Sequence, residues 1–235
     1  MVCQEICVVV VPCFNEERTI APLVEETRRL LREIIVVDDG SADDTRTRAE
    51  QAGARVLRHS RNRGKGAALR TGLAHAHQRG FSWTITMDGD GQHRPGDIPL
   101  FLACAERTAA ALVIGNRFHN ARALPCLRRW VNQWMSAKLS ARAGSQLPDS
   151  QCGFRLVHLK TWAALKLKTD HFEVESEMLL SFLAAGHRVE FVPIEVIGRG
   201  PHSRIHPLVD SWRWWKWWRH LPHGQPAQAN SLKTP

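Results

Sequence analysis

The sequence predicts a layered α/β domain built on a largely parallel sheet. Three observations lead there: short β-branched runs alternate with amphipathic stretches, the connections between them are brief, and acidic turn residues follow the strand candidates directly. The first strand is read over Ile6 to Val11, and Asn15 precedes a helix over Glu16 to Leu31. A second strand, Glu33 to Val37, leads through Ser41 into a helix over Asp43 to Gln51. Arg55 to Arg58 reads as the third strand, and Gly64 opens a helix over Lys65 to Gln78. The fourth strand, Trp83 to Met87, is followed by a helix over Pro95 to Ala105, and Ala111 to Ile114 reads as the fifth. The second half is less regular. It offers a Trp-bearing helix over Leu127 to Ala143, a strand over Phe154 to His158, helices over Thr161 to Leu167 and Glu173 to Ala185, and a returning strand over Arg188 to Val196.

With 43% hydrophobic and 23% charged residues, the 235-residue chain has ordinary globular proportions, which excludes collagen-like, coiled-coil and wholly disordered classes. One domain is expected, with no internal repeat. The longest apolar run, Ile6 to Phe14, has nine residues, far short of the ~20 that cross a bilayer. It lacks the flanks of a signal peptide, so a cytoplasmic location is expected. The six cysteines form no CxxC pair and read as reduced structural thiols rather than a disulfide frame or zinc site. A net charge of +9 points to an anionic partner without naming it.

In a parallel α/β sheet the ligand crevice lies beyond the carboxyl ends of the strands. Pro12-Cys13-Phe14-Asn15-Glu16-Glu17 follows the first strand, Asp38-Asp39-Gly40-Ser41 the second, and Asp88-Gly89-Asp90-Gly91-Gln92-His93 the fourth. Each alone is an ordinary turn or helix cap. Together they direct acids from successive strand ends into one rim, where mutual repulsion calls for a counter-charge. Asp88 and Asp90, on a glycine-loosened loop, suit a hard divalent cation that also grips a diphosphate. A calcium-binding helical loop is excluded because His93 and Pro99 stand where that pattern needs Gly and Glu. Asn62-Arg63-Gly64-Lys65-Gly66 places cationic groups and backbone N–H donors at a helix start, without Walker spacing. Arg117 follows the fifth strand onto the same rim.

These segments resemble the family 2 glycosyltransferases, and within them the dolichyl-phosphate mannose synthase and glucosyltransferase-like branch. The resemblance runs from about Val8 to Arg204. Pro12 to Glu17 resembles P-x-[YF]-N-E-E, Val36 to Ser41 resembles V-V-D-D-G-S, and Asn62 to Gly66 resembles N-x-G-K-G. Met87 to His93 resembles the metal-binding D-x-D segment, and Asp149-Ser150-Gln151-Cys152-Gly153-Phe154-Arg155 resembles D-[TS]-Q-C-G-F-[KR]. The resemblance implies a GT-A, nucleotide-diphospho-sugar transferase fold over residues 1–204 and an inverting mechanism.

It further implies that Pro12, Phe14, Glu16, Val37 and Asp39 line a nucleoside pocket and that Asp88 and Gly89 touch the nucleotide-sugar. Asp90 and Gln92, with Asp88, would hold Mg²⁺ or Mn²⁺ against the diphosphate of a UDP- or GDP-sugar. Lys65 and Arg117 would face phosphate. Arg199-Gly200-Pro201-His202-Ser203-Arg204 departs from the R-x-x-G-x-S-K ending of such synthases, shifting the contacts expected of Arg199 and Arg204. A phosphate monoester acceptor is already ionised and needs no base. A hydroxyl acceptor needs a carboxylate such as Asp149, Glu173 or Glu175.

Beyond Gly198 the composition turns to Trp, Arg and His, giving an amphipathic segment over 205–220 and then a polar tail, 221–235, that is expected to be disordered. At 100° per residue, Trp214, Trp215, Trp217 and Trp218 span about 160° of a helix, with Arg213, Lys216 and Arg219 around the other side. Such a helix can rest at a bilayer interface, and the segment is expected to anchor the enzyme beside a lipid acceptor of the polyprenyl-phosphate type, peripheral on the cytoplasmic face of a membrane. A packed helix or a dimer contact is the alternative. A nucleotidyltransferase on the same fold and a basic nucleic-acid-binding module are two further readings. The first lacks a glycine-rich signature, and acids at three strand ends argue against a nucleic-acid partner. The sequence leaves the oligomeric state open.

Overall fold

The computed structural model describes residues 6–118, 126–197 and 207–221. Arg199, Arg204 and the tail beyond Leu221 lie outside them. Strands β1 (Cys7–Cys13), β2 (Ile34–Asp38), β3 (Arg55–Arg58), β4 (Trp83–Thr86), β5 (Leu112–Asn116), β6 (Arg155–His158) and β7 (Val189–Pro193) form one sheet in the order β3-β2-β1-β4-β6-β5-β7. All pairings are parallel except those of β6, which runs against β4 and β5. Around the sheet lie α1 (Ile20–Arg28), α2 (Thr45–Gln51), α3 (Lys65–Gln78), α4 (Ile98–Thr108), α5 (Cys126–Ala143), α6 (Leu159–Leu165), α7 (Val174–Ala184) and α8 (Pro207–His220). A short 3-10 turn, Pro95–Asp97, precedes α4.

The central strands are continuous apolar runs because helices cover both sheet faces. Val8, Val9, Val10, Val36 and Val37 are all fully buried, each contributing on the order of 1.5–3 kcal/mol of apolar transfer. Helix α3 lies close on this sheet because Gly72 has no side chain there. A Cβ at Gly72 would stand 2.4 Å from Val10 Cγ1 and 3.0 Å from Val37 Cγ2.

The register sets the rim. Cys13 pairs with Asp38, so the loops after β1 and β2 leave the sheet side by side. Since β6 is reversed, its first residue, Arg155, opposes Thr86 and Ile114 and brings the preceding segment to the same edge.

Several boundaries differ from expectation for identifiable reasons. Helix α1 begins at Ile20 rather than Glu16. Asn15 is left-handed (φ 53°), and the Glu16 and Glu17 N–H groups donate to Thr45 Oγ1 (2.7 Å) and Asp43 Oδ2 (3.2 Å) instead of starting a helix. Helix α6 stops at Leu165 because Lys166 turns left-handed (φ 48°). Strand β7 ends at Pro193, after which the Glu195 N–H donates to Asp97 Oδ2 and Val196 bridges to His93.

Candidate active site

Carboxylates gripping backbone N–H groups shape the loops after β1 and β2. Asp38 Oδ1 accepts from the Ser41 N–H at 2.8 Å, and Ser41 Oγ accepts from the Asn15 N–H at 2.8 Å. Asp39 is buried and accepts from the Arg63 N–H (3.0 Å) and the Gly64 N–H (2.8 Å), with His59 Nδ1 at 2.6 Å. This clamp fixes the start of α3. Gly64 takes φ 98° there, a conformation that disfavours a side chain.

The first residue of α3 then enters the centre of the rim. Lys65 Nζ stands 2.5 Å from Asp88 Oδ1 and 2.6 Å from Glu175 Oε1, with the Phe172 ring beneath it at 5.6 Å. Burial works against its charge, yet the two carboxylates hold the ammonium above its ordinary pKa. Burial likewise opposes ionised Asp88, but Lys65 and His93, whose Nε2 lies 3.3 Å away, hold that carboxyl well below the usual range. Gly153 leaves room for this arrangement, since a Cβ there would sit 2.7 Å from Asp88 Oδ1 and 2.9 Å from Lys65 Nζ.

Asp90 behaves oppositely. Burial and the adjacent Asp88 charge push its carboxyl up, while Oδ1 accepts the Gln92 N–H at 3.0 Å. Gly89 fits where a Cβ would meet Cys13 Sγ at 2.5 Å, and its carbonyl accepts the Thr19 hydroxyl at 2.6 Å. The buried Cys13 thiol reports the convergence of the acids: burial raises its pKa, and so do the charges of Glu16, Asp38, Asp88 and Asp90. No cluster of three His, Cys, Asp or Glu ligands stands ready for a metal among the described residues. The donors present, two carboxylates and the Gln92 amide, are hard oxygens of the kind Mg²⁺ and Mn²⁺ take, and substrate phosphate completes such shells.

Asp149 and Arg117 find each other. Arg117 Nε and Nη2 donate to Asp149 Oδ2 (2.8 Å) and Oδ1 (2.9 Å), and the Arg117 N–H adds a third bond at 3.1 Å. Both side chains are buried. The carboxylate raises the Arg117 pKa against the effect of burial. Asp149, expected to serve as a base, thus has both oxygens engaged by a guanidinium. Arg117, expected to face phosphate, has only Nη1 outside that pair.

Sequence reasoning quoted Arg155 in a motif but gave it no role. It is buried and donates to the carbonyls of Cys152 (2.7 Å), Ser150 (2.9 Å) and Glu175 (2.7 Å), tying the segment before β6 to the first turn of α7. Glu175 is thereby delivered to Lys65. Its Oε2 is buried without a hydrogen-bond partner among the described residues. His93, adjacent to the acids in sequence, was missed as a partner of Asp88.

Pro12, Phe14 and Glu16 are half-buried along the rim, whereas Val37 corrects the expectation set for it: its side chain faces Gly72 in the core, and a nucleoside would meet only its main chain.

The Trp segment does form a helix, but its burial corrects the expected face. Trp214 is 2% exposed, donates Nε1–H to Ser176 Oγ at 2.9 Å, stacks on Trp218 and meets the edge of Trp134. Trp217 and Trp218 are half-buried. Trp212 and Trp215 face outward, 58% and 45% exposed.

Comparison with known proteins agrees with this geometry. The chain is 34% identical to an uncharacterized protein of Methanocaldococcus jannaschii, over 80% of each. It is 32% identical to the dodecaprenyl-phosphate galacturonate synthase of Rhizobium johnstonii, covering 83% of this chain and 55% of that one. Its fold matches glucosyl-3-phosphoglycerate synthase from Mycobacterium tuberculosis, crystallised with Mn²⁺, UDP and phosphoglyceric acid, at a TM-score of 0.69 and 23% identity over 89% of this chain and 74% of that one. The family model described as Glycosyl transferase family 2 matches residues 8–156. A GT-A sheet whose reversed strand closes an acidic rim, carrying these motifs, makes the chain a glycosyltransferase that belongs to family 2.

Proposed function

We propose that the chain transfers a sugar, with inversion, from a nucleotide-diphospho-sugar to the phosphate of a polyprenyl lipid, with Mg²⁺ or Mn²⁺. The convergence of Asp88, Asp90, Glu175 and Lys65 at one rim carries this reading, and the Rhizobium relative is named for a product of that class. Pro12, Phe14, Glu16, Asp39 and the Val37 main chain hold the nucleoside. Gly89 lets the backbone approach the sugar diphosphate. Asp90, Asp88 and Gln92 hold the cation, which when bound neutralises charge on the diphosphate leaving group.

Lys65, released from part of its pairing when a donor enters, turns its ammonium to phosphate beside Nη1 of Arg117, and Arg199 and Arg204 add cationic contacts. Attack by an acceptor phosphate oxygen on the anomeric carbon expels the nucleoside diphosphate from the opposite face. An ionised phosphate needs no base. A hydroxyl acceptor is the second reading, favoured by the unpartnered Oε2 of Glu175.

We also propose that the protein works as a peripheral enzyme on the cytoplasmic face of a membrane. No helix among the described residues is long and apolar enough to cross one. The outward Trp212 and Trp215 of α8, with Trp130 and Trp134 of α5 (64% and 40% exposed), form the contact surface. Cations lie over three of these rings: Lys216 on Trp212, Arg219 on Trp215 and Lys138 on Trp134. Indoles and cations together suit an anionic lipid interface. Nucleic acid is not proposed as a partner.

The test is a screen of UDP- and GDP-sugars with undecaprenyl phosphate and Mg²⁺ or Mn²⁺, with the anomeric configuration of the product read by NMR. Asp90→Ala is expected to lower turnover roughly 100-fold or more. Full turnover in that variant moves the metal site elsewhere, and the absence of transfer from every donor overturns the reading.

A further inference from the structure

Lys65 and Glu175 meet at Asp88, yet they stand on the first turns of two different helices, α3 and α7. The stretch from Lys168 to Phe172, just before α7, joins the two. Glu177 of α7 reaches back to it: Oε1 accepts the Lys168 N–H at 2.9 Å, and Oε2 accepts the Thr169 N–H at 2.9 Å and the Thr169 hydroxyl at 2.6 Å. Arg70 of α3 grips the same stretch, Nη1 donating to the Thr169 carbonyl and Nη2 to Asp170 Oδ1. The Asp170 carbonyl accepts the Ala67 N–H at 3.1 Å, satisfying a donor that the first turn of a helix leaves open. We infer that Arg70 and Glu177 are positioning residues for sugar transfer: their shared hold on Thr169 fixes α3 against α7 and so places the Lys65 ammonium between Asp88 and Glu175, an inference that rests on the reading of Lys65 as the ammonium that turns to donor phosphate.

Neither residue is placed to touch the donor. At 100° per residue, Arg70 projects about 140° away from Lys65 and Glu177 about 160° away from Glu175. The second glycine of Asn62-Arg63-Gly64-Lys65-Gly66 finds its reason in the same contact. Glycine weakens a helix interior, but a Cβ at Gly66 would stand 2.5 Å from the Thr169 carbonyl oxygen, and one at Gly64 2.3 Å from His171 Nδ1. The stretch therefore lies directly on the turn that carries Lys65. Exposure separates positioning from folding. The Arg70 and Asp170 side chains are 26% and 54% exposed, and ion pairs at such sites add little to stability. Misplacing a group at the reaction centre by about 1 Å, in contrast, costs roughly 100-fold in rate.

Competitive acylation read by mass spectrometry reports the placement of Lys65 without reference to any substrate. In the unaltered chain its side chain, 14% exposed and held by two carboxylates, is expected to label slowly. Arg70→Ala and Glu177→Gln should each raise that rate roughly fivefold or more relative to Lys138, and Arg70→Ala should lower Tm by no more than about 4 °C. In transfer assays Arg70→Ala should lower kcat roughly tenfold or more while donor KM and UDP or GDP affinity stay within about threefold. Arg70→Lys, or millimolar guanidinium added to Arg70→Ala, should restore part of the loss. Wild-type labelling of Lys65 in both variants overturns the clamp. Raised labelling with unchanged kcat overturns it too, as does a kcat loss that follows a large fall in Tm and is not rescued. If wild type transfers sugar from no nucleotide-sugar to polyprenyl phosphate, the proposed function falls, and the labelling alone decides the clamp.

Discussion

The two walls of the site are held by different forces. On the β1–β2 side, short carboxylate-to-backbone bonds from Asp38 and Asp39 set the loops, and the groups they satisfy lie within a few residues or one crossover. On the α5–α7–α8 side, one buried indole, Trp214, joins three helices through Ser176, Trp134 and Trp218. The first wall is polar, local and written in motifs. The second is aromatic, non-local and written only in composition. Chemistry should therefore fail first when the polar wall is altered, and docking of α8 when the aromatic wall is.

The sharpest way to break this contrast is Lys65→Met. Removing the ammonium leaves Asp88 and Glu175 uncompensated, and donor turnover should fall roughly 100-fold or more; kinetics close to wild type would deny the polar wall its catalytic part. Arg117→Ala strands the buried Asp149 charge and should cost about 3–5 kcal/mol in urea unfolding. Trp214→Ala should cost about 3 kcal/mol or somewhat more by cavity formation. The exposed pair Trp212→Ser/Trp215→Ser should change stability by less than ~0.5 kcal/mol per site yet lower flotation with phosphatidylglycerol vesicles. Equal flotation of this double variant and wild type would remove the lipid surface.

The smallest effect is expected at Glu173. Its folded-state pKa is raised by burial, so the folded protein holds that proton more tightly than the unfolded chain. Stability then declines as pH climbs from the unfolded value through the raised one. Glu173→Gln should accordingly raise Tm at neutral pH, and the gain should vanish in acid, where both states are protonated. A gain that persists at low pH would refute burial as the cause.

The polar wall was legible in the sequence because its residues are close in order and each glycine or acid has a local reason. Lys65 to Gln78 is a helix with the expected limits. What stayed hidden depends on distance. Asp149 and Arg117 are 32 residues apart, and nothing in either segment alone announces their pairing. The reversal of β6 follows from the neighbours it inserts between, not from its own four residues. The early part of α1 misled because Asn15 takes a left-handed turn only once Ser41 and Thr45 are in place to receive the N–H groups of Asn15 and Glu16. The face of α8 misled for a similar reason: a helical projection assumes one partner surface, whereas the Ser176 hydroxyl draws Trp214 inward and leaves Trp212 outside.

Lys65 gives the resting rim an internal cation between Asp88 and Glu175. That ammonium compensates the acids without a metal, so heat resistance should be the same with or without EDTA. On the metal-dependent reading proposed above, chelating agents should silence turnover without unfolding the chain, and a dialysed preparation should recover on adding back the ion, which would then act as a co-substrate of each turnover rather than as a permanent part of the architecture.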